Sequence, residues 1–215
     1  MERYIAVSRH IEVQIFGNGL GEAVTFFERE CSIQRRHQKV IEECPSEFTL
    51  LLCSEQATMS NNPNPGPFVQ KHPDLRAKLG DAALKLAKAV KYKSAGTIEF
   101  LVNDLTGDFF FLEMNTRLQV EHGITEMCYN VDLVDLMFQQ ASAEYFGQGG
   151  IPNLLELQPE GPTGAAIELR LYAENPARNF APAPGLLQDL VWSDEEVRID
   201  TWIRKGTVIS SYYGQ

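Results

Sequence analysis

A candidate β-hairpin near the middle of the chain constrains the fold more than any other feature of the sequence. Two runs rich in β-branched and aromatic residues, 97–102 and 109–114, flank a short polar segment that contains Gly107. Such a segment typically joins two antiparallel strands. A hairpin centred on it places Glu99 directly opposite Glu113, and both side chains then point to the same face of the sheet.

Two facing carboxylates repel each other, so this pair requires an explanation. A sheet tolerates the pair when a cation lies between the two groups, and carboxylate oxygens beside an amide suit Mg2+ that is bound to substrate phosphates. A solvated face with surface ion pairs is the structural alternative. The following residues favour a binding site for a metal and a small anion, because every second residue is polar or charged: Glu113, Asn115, Arg117, Gln119 and Glu121. If the segment is extended, all five side chains point to one place, where Arg117 can hold a small anion with two hydrogen bonds.

The composition excludes several functional classes. The 215 residues carry a formal net charge of -10, which argues against nucleic-acid and anionic-membrane partners because phosphate binding needs clustered Lys and Arg. No apolar run approaches the roughly 20 residues that span a bilayer, and the N-terminus has no signal-peptide core, so we expect a cytoplasmic protein. The cysteines show no metal-binding or disulfide spacing and are predicted to be free thiols: Cys31, Cys44, Cys53 and Cys128.

Periodicity along the chain predicts a mixed α and β organisation with segregated elements. Strict alternation over residues 10–17 predicts a half-buried strand, and residues 23–28 would complete a hairpin with it. Apolar residues at helical spacing predict a helix that begins at Pro73 and ends before Gly96, with a buried stripe formed by Leu75, Leu79, Ala82, Leu86 and Val90. The remaining predicted elements are a helix at 131–143, a Gly- and Pro-rich linker at 147–164, and short strands at 166–172 and 197–212.

Two long motifs resemble those of the biotin-dependent carboxylases. Residues 111–122, FLEMNTRLQVEH, are similar to the signature of that family, and residues 29–43, RECSIQRRHQKVIEE, are similar to its other long motif. The resemblance implies an ATP-dependent ligase with an α+β fold. Residues 1–150 would be the C-terminal part of an ATP-grasp domain, and residues 151–215 would be a linker and the start of the mostly β biotin carboxylase C-terminal domain.

The resemblance also assigns roles to individual residues. It makes Glu99 and Glu113 metal ligands, with Asn115 beside them. The bicarbonate pocket would consist of Lys39, Arg117, Gln119, Val120 and Glu121, with Glu121 as the general base. The ATP contacts would be His10, Gln34, His37 and Leu101, and the residue that faces the biotin ring would be Arg170. Without the resemblance, each of these residues also has a purely structural interpretation. His10 could be a structural histidine, His37 a solvated loop residue and Arg170 a surface charge.

In this family, Mg-ATP phosphorylates bicarbonate to carboxyphosphate, which carboxylates biotin carried on a separate domain. The implied cofactors and partners are therefore ATP, Mg2+ or Mn2+, biotin, bicarbonate and a biotin carrier domain. Gly123, where most acyl-CoA carboxylases have proline, and residues 169–176, LRLYAENP, resemble urea carboxylase and urea amidolyase. In that branch of the family, urea would be the final acceptor of the carboxyl group, giving allophanate. The acyl-CoA and pyruvate carboxylases are the alternative.

The resemblance covers only part of the family's module. The preceding domain, the glycine-rich lid and the lysines that contact the phosphates have no counterpart here, so we expect a partial, inactive fragment. Residues 47–66 match nothing in the family and are either a lineage-specific loop or a gene-model error such as a retained intron. Two other functions stay open. One is a different ATP-grasp ligase, such as a carbamoyl-phosphate synthase, and the other is a non-catalytic remnant that binds a partner carboxylase.

Overall fold

The chain folds into two compact units, Met1–Leu169 and Arg170–Gln215. The computed structural model describes residues 4–46, 74–192 and 197–210. The segment 47–66 and the predicted helix start at Pro73 lie outside the described residues. The domain boundary that the sequence suggests at residue 150 stays a prediction.

Unit 1 is built on a single sheet. Its strands are β1 Ser8–Asn18, β2 Ala23–Arg35, β3 Gln38–Cys44, β4 Lys93–Asn103, β5 Phe109–Asn115 and β6 Ala166–Leu169. They lie in the order β5-β4-β1-β2-β3-β6, and every neighbouring pair is antiparallel. The predicted hairpin of β4 with β5 is therefore confirmed, and so is the mixed α and β fold class.

Three helices pack against this sheet: α1 Leu75–Ala89, α2 His122–Tyr129 and α3 Leu133–Tyr145. A 3-10 helix, Leu154–Leu157, follows. Alternation along β1 sends side chains into two apolar clusters. Ile11 and Ile15 pack with residues of α1, whereas Phe16 packs with residues of α2 and α3. The helices therefore cover both faces of the sheet.

Strand β1 is consequently buried on both faces, and the prediction of a half-buried strand is wrong. Glu12 and Gln14 are each 0% exposed. The polar alternation in β1 does not mark a solvated face, because β1 lies between β2 and β4 and its polar side chains are enclosed by other polar groups of the sheet. Buried charges persist only when they are paired and hydrogen-bonded, so this face must contain a polar network.

Helix α1 buries the predicted stripe only in its first half. Leu79 is buried, and the stripe continues through Ala83 and Ala87, while Leu86 and Val90 are exposed. Small side chains at the contact let a helix approach a sheet closely, and leucine and valine one position away then face solvent. The apolar spacing predicted the helix and its buried residues Leu75 and Leu79 correctly, but beyond them the buried face lies one residue further along the chain, at Ala83 and Ala87.

Two predicted boundaries are also wrong. Helix α1 ends at Ala89, and Gly96 lies inside β4, where a Cβ would come within 2.5 Å of the Tyr92 side chain. The segment after Glu113 is extended only as far as Asn115, since the chain then turns and enters α2. The backbone N–H of His122 donates to the carbonyl of Gln119 within that turn.

The described part of unit 2 contains short antiparallel strands and a 3-10 helix, Pro176–Arg178. Its strands are β7 Glu174–Asn175, β8 Ala181–Pro182, β9 Gly185–Leu186 and β10 Val208–Ile209. They pair as β7 with β8 and β9 with β10. The strand predicted at 166–172 is β6, which joins unit 1 through β3. Among the described residues, no helix combines the length and hydropathy needed to cross a membrane.

Candidate active site on the polar face of the sheet

A row of charged residues crosses four adjacent strands of unit 1. The registers place Arg29 of β2 opposite Glu12 of β1, and Glu12 opposite Glu99 of β4. Glu99 in turn lies opposite Glu113 of β5, which is the pairing that the sequence predicts. Directly opposed residues on one face interact strongly, so three carboxylates and one guanidinium form a single electrostatic unit.

Lys39 adds a second cation to this row. Its ammonium group donates to Glu12, to Glu99 Oε1 at 2.9 Å and to Glu121 Oε1 at 2.8 Å. Burial alone would lower the pKa of Lys39, but the carboxylates of Glu12 and Glu121 outweigh that effect and raise it. Lys39 is therefore a fixed positive charge that joins acids from three parts of the chain.

Arg29, at one end of the row, is 0% exposed. Its Nε donates to Glu12 Oε1 at 2.6 Å, and its two terminal nitrogens donate to side-chain oxygens of Gln14, Thr125, Thr97 and Gln119. Burial opposes the charged form, but Glu12 and Glu121 raise the pKa of the guanidinium above its ordinary value. Burial would raise the pKa of the Glu12 carboxyl, but Arg29 and Lys39 outweigh that effect and lower it. The pair is ionised.

Glu99 is the most heavily bonded acid of the row. His10 Nε2 contacts its Oε2, and Asn115 Nδ2 and Gln119 Nε2 donate to its Oε1 at 2.8 and 3.0 Å. Burial would raise the pKa of this carboxyl, but the bonds from His10 and Lys39 lower it to about 2. Glu99 thus carries a full negative charge in the centre of the sheet.

The facing side chains of β4 and β5 could hold a hard divalent cation such as Mg2+. Asn115 Nδ2 lies between the two acids, 2.8 Å from Glu99 Oε1 and 3.3 Å from Glu113 Oε1. An amide N–H therefore holds the position that a cation would take between facing carboxylates. The cluster also has four carboxylates against two fixed cations, which leaves two negative charges. Oxygen donors with that charge suit Mg2+.

A second group of potential metal ligands lies nearby and does not fit a metal. Ligand atoms of Glu12, Cys31 and Glu121 lie within 4.8 Å of one another. The Lys39 ammonium bonds both of these acids, so a positive charge already occupies the group. Burial, followed by the charge of Glu12, raises the pKa of the Cys31 thiol well above its ordinary value, and a protonated thiol is a poor ligand.

The sequence-predicted bicarbonate residues divide into two sets. Lys39, Gln119 and Glu121 come together at the row, and Glu121 is buried at the N-terminal end of α2. Arg117 and Val120 are exposed, and the described side-chain hydrogen bond of Arg117 goes to the neighbouring Leu118 carbonyl. The expectation that one extended segment directs all five polar residues to one place is therefore wrong for Arg117, because the chain turns after Asn115 and brings Gln119 and Glu121 to the row while Arg117 is exposed.

The sequence-predicted ATP residues lie at the edge of the same face. His10 bonds Glu99 through Nε2 and Gln34 Nε2 through Nδ1, the latter at 2.8 Å. Leu101 is the direct cross-strand neighbour of His10. His37 lies exposed in the turn between β2 and β3, with a backbone φ of 62°. Arg170 belongs to unit 2.

Two members of the network, Glu12 and Arg29, were missed by reasoning from sequence. Glu12 has the same parity as His10 on β1, and it therefore shares the face of the predicted site. The predicted strand ends at Glu28, so the sequence pattern does not indicate which face of the sheet Arg29 lies on. A longer predicted strand would not have been enough, because the irregularity between Val13 and Ile15 shifts the β1–β2 register and brings Arg29 opposite Glu12.

Comparison with known proteins identifies the family. Residues 1–63 and 52–148 match the family model for the ATP-binding domain of the carbamoyl-phosphate synthase L chain. Residues 168–215 match the model for the biotin carboxylase C-terminal domain. The second match distinguishes the chain from the carbamoyl-phosphate synthase alternative.

The similar proteins are biotin-dependent carboxylases. A putative urea carboxylase of Emericella nidulans is 56% identical over 99% of this chain and 16% of its own length. The crystal structure of Kluyveromyces lactis urea carboxylase superimposes with a TM-score of 0.77 at 40% identity, covering 96% of this chain and 16% of that one.

A third relative is known with ligands. The biotin carboxylase domain of Hydrogenobacter thermophilus 2-oxoglutarate carboxylase, in complex with MgADP, ADP and bicarbonate, has a TM-score of 0.77 at 36% identity. It is matched over 99% of this chain and 41% of its own. The chain thus spans about one sixth of its urea carboxylase relatives. It belongs to the biotin carboxylase family of ATP-grasp proteins, and within that family it is similar to urea carboxylase and urea amidolyase.

Proposed function

We propose that this chain supplies the metal- and bicarbonate-binding half of a biotin carboxylase site, in a protein that carboxylates urea to allophanate. The observation that carries the proposal is the cluster in which Lys39 joins Glu12, Glu99 and Glu121. A surface salt bridge would not need three acids around one buried ammonium. Such a cluster suits a site that binds an anion and a cation side by side.

Glu99 and Glu113 would hold Mg2+ or Mn2+, with Asn115 beside them. When bound, the metal offsets negative charge on the phosphoryl group of ATP. The β4–β5 hairpin fixes the spacing of the two acids before any ligand arrives, since they are direct cross-strand partners. A preformed site of this kind avoids reorganisation at the moment of reaction.

Bicarbonate would bind among Lys39, Arg117, Gln119 and Val120, beside Glu121. Glu121 would act as the general base that removes the bicarbonate proton, because it is a buried carboxylate on the rim of the anion pocket. Lys39, which now donates to Glu121 Oε1, would share that bond with the anion. Arg117 is exposed and would close on the bicarbonate oxygens with its planar pair of donors.

The nucleotide would contact His10, Gln34, His37 and Leu101, and Arg170 would face the biotin ring. Biotin would arrive on a carrier domain, as the family resemblance implies. Urea would be the final acceptor and the cytoplasm the location. These assignments follow the family resemblance together with the urea carboxylase relatives.

The proposal is tested in the full-length protein encoded by the gene. ATP cleavage is measured with and without bicarbonate and free biotin, followed by carboxyl transfer to urea or to an acyl-CoA. We expect bicarbonate-dependent ATP cleavage and transfer to urea. Transfer to an acyl-CoA would replace the acceptor, and nucleotide binding without any cleavage would favour the non-catalytic remnant. Glu144→Gln, at a surface ion pair with Lys93, is the matched control for substitutions in the site.

A further inference from the structure

The guanidinium of Arg29 uses every hydrogen-bond donor that arginine possesses. An arginine side chain carries five N–H groups in a rigid plane. In this protein one goes to Glu12, two go to Gln14 and Thr125 at 2.7 and 2.9 Å, and two go to Thr97 and Gln119 at 3.3 and 3.1 Å. Lysine, with three donors around one point, cannot reproduce this arrangement.

These bonds fix the orientation of the side chains that line the anion pocket. Because Arg29 donates to Gln119 Oε1, the amide group of Gln119 must turn its nitrogen toward Glu99, to which it donates at 3.0 Å. Because Arg29 binds one oxygen of Glu12, the other oxygen faces Lys39. A single guanidinium thus sets the polarity of an amide and the direction of a carboxylate.

We propose that Arg29 is a positioning residue for bicarbonate, acting through Gln119 and through Glu12 on Lys39. The inference rests on the proposed function, because it names a further residue of that same site. Arg29 is fully buried and would not touch substrate. Its effect should therefore fall on bicarbonate affinity, whereas the proposed ATP contacts His10, Gln34 and Leu101 receive no described hydrogen bond from it.

A second buried arginine, on helix α1, provides the matched control. Arg76 is 7% exposed and pairs with Glu28, with Nη2 2.5 Å from Oε1 and Nε 3.0 Å from Oε2. None of its described bonds reaches a proposed bicarbonate residue. Arg29→Lys and Arg76→Lys both retain charge and remove a planar set of donors, so both should destabilise the fold. They should differ in their effect on bicarbonate.

The test compares KM for bicarbonate, KM for MgATP and kcat of bicarbonate-dependent ATP cleavage in the full-length protein. We expect Arg29→Lys to raise KM for bicarbonate by about tenfold or more while KM for MgATP changes by less than about twofold, since small misplacements of binding groups have effects of this size. Arg76→Lys should leave both KM values unchanged. Equal effects of the two variants on bicarbonate, or none from Arg29→Lys, would overturn the proposal.

A milder variant covers the case in which Arg29→Lys does not fold. Thr125→Val removes one acceptor of Arg29 without changing side-chain shape, and one hydrogen bond is worth a few-fold in an equilibrium. We expect KM for bicarbonate to rise by about two- to tenfold, and an unchanged value would refute the role of Arg29. If the wild-type protein shows no bicarbonate-dependent cleavage, the proposed function falls and this assignment falls with it. If the wild-type protein cleaves ATP in a bicarbonate-dependent manner but the variants show an unaltered KM for bicarbonate, only the assignment of Arg29 is overturned.

Discussion

Replacement of Lys39 by methionine tests whether the charged row is a functional cluster or an incidental set of ion pairs. The variant keeps side-chain length and removes the ammonium that bonds Glu12, Glu99 and Glu121. Glu12 retains Arg29, and Glu99 retains His10, Asn115 and Gln119. The loss therefore consists of the three bonds of the ammonium, including the 2.8 Å bond to Glu121, and of the repulsion among the acids that the ammonium offsets.

The expected magnitude follows from burial. The Lys39 side chain is 13% exposed and its partners are at most 3% exposed, so the cost is that of breaking a buried pair, about 3–5 kcal/mol. Lys93 supplies the control, since its side chain is 55% exposed and bonds Glu144 at 2.9 Å. Lys93→Met should cost only about 0.2–1 kcal/mol.

Hydrogen exchange of backbone amides in β1 and β4 measures this difference locally in the full-length protein. For amides that exchange only when the sheet opens, Lys39→Met should accelerate exchange roughly 100- to 5,000-fold, which is the stated free energy at 1.36 kcal/mol per factor of ten. Added Mg2+ should restore part of the protection, because a divalent cation offsets the repulsion. If Lys39→Met accelerates exchange no more than Lys93→Met does, the row is not a coupled unit.

Three further predictions concern activity. Glu113→Gln should lower the activity of the full-length protein by about 10- to 1,000-fold with the fold retained, because one anionic metal ligand is lost; unchanged turnover at saturating Mg2+ would remove Glu113 from the site. Glu121→Gln should leave nucleotide binding intact and suppress bicarbonate-dependent ATP cleavage, since an amide cannot accept the proton, and wild-type cleavage rates would contradict the base assignment. A protein consisting of residues 1–215 alone should not carboxylate free biotin, because the chain covers only 41% of a matched biotin carboxylase domain and phosphoryl transfer depends on positioning by the whole site; carboxybiotin formation by this chain would refute that view.

Local patterns predicted the β4–β5 hairpin and the pairing of Glu99 with Glu113, because the alternation of side chains and the length of the connecting loop both depend on neighbouring residues. They did not predict the irregularity between Glu99 and Phe100, which shifts the register by one residue nearer the turn. The same alternation failed after Asn115, where the chain turns to begin α2. It also failed for β1, since period-2 polarity cannot distinguish a solvated face from a face enclosed by other polar groups. The parity that Glu12 shares with His10 placed it on the face of the site, but parity alone did not distinguish it from a solvated residue.

The position of Arg29 shows a different limit of sequence reasoning. Its five partners lie on β1, β4, the turn before α2, and α2 itself. Contacts of this kind depend on which strands become neighbours, and that order is not encoded in the periodicity of any one strand. The family resemblance supplied the residues thought to touch ligands, while the side chains that orient them required the three-dimensional structure.

The cross-strand row also has a consequence for the order of folding. Glu99 and Glu113 belong to one hairpin and can meet as soon as a local turn closes, whereas Lys39 reaches Glu99 only after strands separated by 60 residues have come together. Contacts between distant segments form slowly because loop closure opposes them. Glu99 and Glu113 should therefore face each other before Lys39 and Arg29 reach the row. We expect a divalent cation present during refolding to act on this early stage and to accelerate formation of the sheet.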